Sequence, residues 1–248
     1  MKARRVLALA LNAGAASGGA FAFKPAAPQI IQCPGSDEVR KVERMASGNT
    51  FGRRLWTDGF VLAPMLPSYP RISRCAGNGP MFWVEDRERL GELPFWPEDS
   101  PPVPQSWRVA EAVRALTEAE LLDAIDQQMG TTRARLLHLR QQAWWLANDS
   151  DRRVRSGQTV EHVSRVDADP RARANLEALV LMFDESDRAE PLMKVEALRE
   201  LGRRAEALAL AERLHPEQPV FVDWLNRLKA VLATDDRRVA EVIDRPKP

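Results

Sequence analysis

The chain has 248 residues, with 36 basic and 35 acidic side chains and a formal net charge of +1. That balance argues against a polyanion-binding protein, which concentrates basic charge on one face. The 44% apolar and 29% charged composition is that of a globular chain able to bury a sizeable core, in one large or two small domains. The arginines of the second half alternate with Glu and Asp, the pattern of a solvated, ion-paired helix surface. Tryptophan is abundant (7, against a single tyrosine). Trp83, Trp96, Trp107, Trp144 and Trp145 read as core and interface bulk, because each ring buries a large area.

In chain order, Lys2, Arg4 and Arg5 precede an uncharged run that ends in the small-residue stretch Ala20-Phe21-Ala22. This is the layout of a cleavable secretory signal, with a plain Ala/Gly extension as the alternative. Asn12, Ser17 and interspersed glycines make it too weakly apolar for a membrane span, which needs about 20 strongly apolar residues. Pro25 and Pro28 then mark a linker. Residues 1–28 are therefore set apart as a signal-like or disordered extension. The expected location is cytoplasmic, with export through 1–22 as the alternative.

Residues 29–86 read as two similar β arms. Ile30 and Ile31 lead into a turn at Cys33-Pro34-Gly35-Ser36. Ile72 leads into Cys75-Ala76-Gly77-Asn78-Gly79, and Met81-Phe82-Trp83-Val84 is the outgoing strand. A structural zinc site needs Cys-x-x-Cys in each arm, since four soft ligands complete the tetrahedron. Here Ser36 and Asn78 occupy the second positions, and no histidine lies in the segment. Between the arms, Leu55-Trp56 and Phe60-Val61-Leu62 flank Thr57-Asp58-Gly59 as a hairpin. Pro64, Pro67 and Pro70 hold an extended return. Asn49, Thr50 and Asp58 form a candidate polar site, although turn chemistry alone accounts for these residue types.

Three stretches carry a resemblance: Ser47-Gly48-Asn49-Thr50-Phe51-Gly52, Trp56-Thr57-Asp58-Gly59 and Ala63-Pro64-Met65-Leu66-Pro67. Together with Cys33 and Cys75 they resemble the N-terminal zinc ribbon of a group of uncharacterised bacterial proteins, in which a helical repeat region follows. In that group a Cys-Pro-x-Cys arm and a second Cys-x-x-Cys arm flank such an insert, so half the ligand set is present here. The resemblance implies architecture and no assigned activity. Three readings of Cys33 and Cys75 stand open: small buried residues left from a lost zinc site, a disulfide between the knuckles in an oxidising compartment, or residual metal binding completed by Asp37 or a partner's ligand.

Residues 87–108 contain Pro94, Pro97, Pro101, Pro102 and Pro104 with aromatic anchors, and are expected to be a proline-rich linker. From Val109 the apolar period becomes helical, through Ala112, Leu116, Ala119, Leu122 and Ile125. Thr117 and Glu120 form a capping-box candidate for a helix over 118–129, closed by Gly130. A second helix opens at Thr131-Thr132 and runs to Ala147. Asn148-Asp149-Ser150-Asp151 is expected to stop it, with a long connection over 152–169. Pro170 suits the first turn of a further helix. Leu192, Val195, Leu198 and Leu201 make one face of a helix, Gly202 breaks it, and Ala205 to Leu214 form its partner, with Pro216 and Pro219 as stops. This pair resembles one tetratricopeptide repeat, with Gly202 at the turn, Ala207 at close packing and Pro219 at the terminating position. No second clean copy is found. Residues 221–232 read as a capping helix, and 236–248 as a charged tail.

The expected fold class is therefore α+β, mostly α. A small degenerate zinc-ribbon-like β domain (29–86) precedes an antiparallel α-helical, tetratricopeptide-like domain (109–235). The histidines His138, His162 and His215 are scattered, and no phosphate loop, nucleophile elbow or metal-ligating pair is present. The sequence accordingly reads as non-enzymatic, with no cofactor, no evident small-molecule substrate and no integral membrane segment. It reads as a protein-binding module of unknown partner. A redox- or metal-responsive module using Cys33 and Cys75 is the first alternative. Nucleic-acid binding through Arg40, Lys41, Arg44, Arg53, Arg54, Arg71 and Arg74 is a less favoured second.

Overall fold

The computed structural model describes residues 23–95, 101–159 and 165–242. The signal-like segment 1–22, Trp96, Pro97, His162 and residues 243–248 lie outside them. The described chain is mixed α and β, with small antiparallel sheets in its first part and helices after them. Strands β1 (Lys24–Gln32) and β2 (Val39–Ser47) form a hairpin around the Cys33 turn. β3 (Arg54–Leu55) and β4 (Val61–Leu62) form the insert hairpin, with Leu55 paired to Val61. β5 (Ile72–Arg74) and β6 (Met81–Trp83) close the second arm around Cys75.

Two boundaries move relative to expectation. Strand β1 starts at Lys24, inside the stretch read as a linker, because 24–26 pair with β2 across a register shift. The proline-rich 87–108 is not a free linker either. It supplies β7 (Arg89–Glu92), which pairs with β1 and gives the order β2-β1-β7, and the short helix α1 (Gln105–Arg108). Gly91 lies under Trp107, where an added Cβ would sit 2.5 Å from the ring, so the anchor role read for Trp107 has a physical seat.

The helical period at 109–116 does not make a helix. Lys41 N donates to Glu111 O at 2.9 Å and Val113 N to Lys41 O at 2.8 Å, so this stretch runs extended along the edge of β2. Ladder hydrogen bonds to an open edge win over a weak local periodicity. The capping box works as read: Thr117 Oγ1 accepts from Glu120 N and Glu120 returns a carboxylate to Thr117 N, opening α2 (Glu118–Asp126). α3 (Arg133–Ala147) begins at the Thr132 cap. Asn148 is a junction and not a stop, since α4 (Asp149–Arg155) follows it directly. Within the expected connection there is also a short helical turn, α5 (Arg165–Ala168). α6 (Pro170–Met182) has its proline in the first turn. α7 (Glu190–Glu200) and α8 (Arg204–Arg213) pack as a hairpin about Gly202, and α9 (Pro219–Leu232) covers them. Pro219 opens α9, so it does not stop α8.

Among the described residues, three apolar clusters run through the molecule. Ile31, Val42, Phe82 and the two cysteines fill the knuckles. Ile72 and Trp83 pack against Leu121, Leu122 and Leu139 of the first helices. The largest joins α3 and α6 to α9, and it includes Leu55 of the insert and Val242 near the C-terminus. Each fully buried side chain of this kind is worth roughly 1.5–3 kcal/mol. The expected tail therefore corrects at 236–242. Val239 and Ala240 are essentially without exposure, and Val242 N donates to Leu55 O at 2.8 Å, so this stretch adds to the insert hairpin as a third extended segment. Among the described residues, no helix is long and apolar enough to cross a membrane.

Candidate functional site

The insert turn Trp56-Thr57-Asp58-Gly59 is one place where the β part meets the helices, apart from the packing of Ile72 and Trp83 on α2 and α3. Gly59 adopts φ +80°, which a side chain disfavours, and a Cβ there would sit 2.8 Å from Met193 Sδ. The turn is thereby pressed onto α7. Thr57 N donates to Ala240 O at 2.9 Å, Ala240 N to Thr57 Oγ1 at 3.0 Å, and Trp224 Nε1 to Thr57 O at 2.9 Å. The Thr57 hydroxyl donates to Glu196 Oε1 at 2.5 Å.

Asp58 is fully buried, and its carboxylate accepts from Phe60 N, Asn148 Nδ2 and Arg152 Nη1 at 3.0, 3.1 and 2.6 Å. Its backbone carbonyl accepts from Trp145 Nε1 at 2.9 Å. Asn148 also reaches Glu200 Oε1 at 3.1 Å, and Trp144 Nε1 donates to Glu200 Oε2 at 2.8 Å. Arg199 grips Glu196 at 2.7 Å through both Nε and Nη2, and it caps the carbonyls of Asp236, Arg237 and Arg238. The junction thus encloses Asp58, Glu196, Glu200, Arg152 and Arg199. Burial, then the Glu196 carboxylate, push Glu200 well above the usual range, while Arg199 pulls it down. Burial also raises Asp58, against the pull of Arg152. These groups are spent on one another and closed to solvent, which makes the turn a lock between parts of the fold.

Of the polar site expected in the insert, only Asp58 joins this network. Asn49 is used by its own turn, where its Oδ1 accepts from Phe51 N at 2.9 Å. Arg152, Glu196, Arg199 and Glu200 had no signal in the sequence beyond ordinary helix-surface chemistry, while Thr57 and Asn148 were read only for their turn and stop chemistry.

At the knuckles, Cys33 and Cys75 are bonded to each other, with Cα atoms 6.0 Å apart, a normal separation for a disulfide. The unbonded packed pair is therefore corrected: the two arms converge closely enough to join. Glu38 holds the same place. Its carboxylate accepts from Ala76 N at 3.0 and 3.2 Å and pairs with Arg40 Nε at 2.6 Å. Cys33, Cys75 and Glu38 bring donor atoms within 4.8 Å of one another, so Glu38 and not Asp37 is the acidic neighbour of the sulfurs. Ser36 is occupied with its turn, accepting from Glu38 N at 3.3 Å.

No family model, curated protein or solved structure matches this chain.

The basic residues of the ribbon are mostly neutralised. Arg40 pairs with Glu38 and Glu111, Lys41 with Glu43, Arg44 with Glu92, Arg54 with Glu241, Arg71 with Glu85 and Arg74 with Glu120. In the helical part, Gly202 has φ +77° at the turn and Ala207 is fully buried. A crevice of about 330 Å³ opens where the start of α7 meets the α8–α9 loop. Its floor is Pro191, Leu192, Leu214 and Phe221, and its rim carries Glu185 and Glu217 with His215.

Proposed function

We propose that this protein is a non-enzymatic binding module whose helical face takes a segment of a protein partner, with the ribbon-like β part as a scaffold. The observation that carries this reading is the crevice between α7 and the α8–α9 loop. It offers an apolar floor, with Leu192 buried and Leu214 and Phe221 half-buried, beside a mixed rim on which Glu185 is paired with Lys194 and the exposed Glu217 is the acidic group nearest His215 in sequence. Such a surface suits an apolar anchor flanked by a basic residue, in the manner of groove recognition. The pair α7–α8 is read as a single tetratricopeptide-like hairpin, supported by the left-handed Gly202 and the packed Ala207.

The test uses the full chain, since 109–113 pair with β2 and the insert turn is seated among the helices. Extract of the source organism is passed over immobilised protein and over the Leu214→Gln and Glu217→Lys variants, each checked for its helical content. The account predicts a partner retained by the parent and lost from both variants. A partner held equally by all three would contradict it.

A second reading is favoured by the Cys33–Cys75 bond. Disulfides persist in oxidising compartments, so the bond supports an exported protein over a cytoplasmic one, and a ribbon that responds to reduction.

A further inference from the structure

Separate from the crevice, a second groove lies between the extended return 68–72 and helices α2 and α3. Its volume is about 330 Å³, and its walls are Ile72, Leu116, Leu121 and Leu146. Ile72, Leu116 and Leu121 are buried, while Leu146 stands 41% exposed at the mouth. Besides Ser68 and Arg71 of the return, three uncharged polar side chains line this apolar trough: Tyr69 from the return, and His138 and Gln142, one helical turn apart, from α3. All three are half-buried, and none makes a hydrogen bond to another described residue. His138 only packs its ring near Trp83, at 5.9 Å.

We propose that this groove binds a small uncharged ligand with an apolar body and an amide-like edge, held by Tyr69, His138 and Gln142. A mostly apolar concavity with a few convergent polar groups is the usual form of a small-molecule site. Tyr69, His138 and Gln142 are neutral groups, and the charged residue of the lining, Arg71, is already paired with Glu85; together these set the ligand class. Burial, then the nearby Arg71, hold the His138 imidazole below its usual range, so it offers one donor and one acceptor. Burial, then Glu43, keep the Tyr69 phenol protonated. The guanidinium of Arg71, at the groove edge, is occupied with the Glu85 carboxylate at 3.0 Å. A carboxylate or phosphate would have to compete with that pair, whereas an amide edge meets the donors and acceptors on offer. The apolar body would cover the walls between Ile72 and Leu146.

The probes are benzamide, benzoate and toluene, which share a ring and differ in the polar edge. Each is titrated into the full chain while the His138 imidazole resonances are followed. The expected result is saturable binding of benzamide, roughly three- to tenfold tighter than toluene, the gain that a small number of neutral hydrogen bonds supplies, and tighter than benzoate. Gln142→Leu should lower the benzamide affinity toward that of toluene and leave toluene unchanged. Should that variant fail to fold, the comparison among probes on the parent protein still decides. Equal binding of benzamide and toluene would reduce the groove to an apolar cleft. Preference for benzoate would make it an anion site on Arg71, and no titration by any probe would remove the site; each of these outcomes overturns the proposal.

Discussion

Asp58, at the tip of the insert hairpin, takes a hydrogen bond from Arg152 Nη1 of α4 at 2.6 Å, with the carboxylate entirely closed to solvent. The two residues are 94 positions apart, and their pairing ties the β part to the helices. Removing one partner of a buried ion pair leaves the other charge uncompensated, at a cost of about 3–5 kcal/mol. Asp58→Asn should therefore lower the unfolding free energy by about that amount in a denaturant titration. Asp58→Asn combined with Arg152→Met should recover much of the loss, since the stranded charge is gone. A single variant as stable as the parent would show that the pair contributes nothing to the lock.

Glu200 and Glu120 set opposite pH limbs. Glu200 binds its proton more tightly folded than unfolded, so its contribution is intact below the unfolded value of about 4.5 and declines as pH rises toward its elevated folded value. Glu120 is the reverse. The hydrogen bond from Arg114 holds it down to about 2, so its contribution is present above about 4.5 and is lost as pH falls toward 2. Thermal melts of Glu200→Gln should show a flatter decline than the parent as pH rises above about 4.5. Those of Glu120→Gln should show a weaker loss in acid. An unchanged slope in the first variant would mean that Glu200 is already ionised in the junction.

Reduction reaches the ribbon through Cys33 and Cys75, which are 42 residues apart and bonded. Replacing both by serine should cost about 2–5 kcal/mol, the usual range for a native disulfide. Thiol titration of the unfolded, unreduced chain should find no free thiol. Finding two would return the cysteines to a packed, unbonded pair.

Gly59 has a steric role that can be separated from the network. Its φ of +80° and the approach of Met193 leave no room for a Cβ. Gly59→Ala should destabilise the protein, and pairing it with Met193→Ala should relieve only the contact and leave the backbone strain. Full rescue by the second substitution would show that the turn tolerates a side chain.

Much of the local structure was legible because its causes are local. The capping box of Thr117 and Glu120, the Pro170 start, the Gly202 turn and the Thr57-Asp58-Gly59 hairpin each follow from residues within a few positions of one another. What escaped depends on distant partners. The stretch 109–116 has a helix-like period, yet an open strand edge claims its backbone. Asn148 looks like a stop, but its side chain is held between Asp58 and Glu200 while the chain continues into α4. Residues 236–242 read as a tail, and their burial depends on Thr57, 183 positions from Ala240. The candidate site divided in the same way. The convergence of the cysteines was among the options because the arms are alike, whereas Glu38 and the members of the buried junction other than Asp58 carried no pattern that set them apart from surface charge.

Partner binding at the crevice is tested most directly by a photo-crosslinking residue placed at His215, with a control at the exposed Lys229 of α9, in the full chain expressed in its source organism. The account predicts an adduct from position 215 only, with the crosslinked partner peptide carrying an apolar residue beside a basic one, and loss of the adduct when Glu217→Lys is added. No adduct at position 215, or the same adduct from both positions, would contradict it.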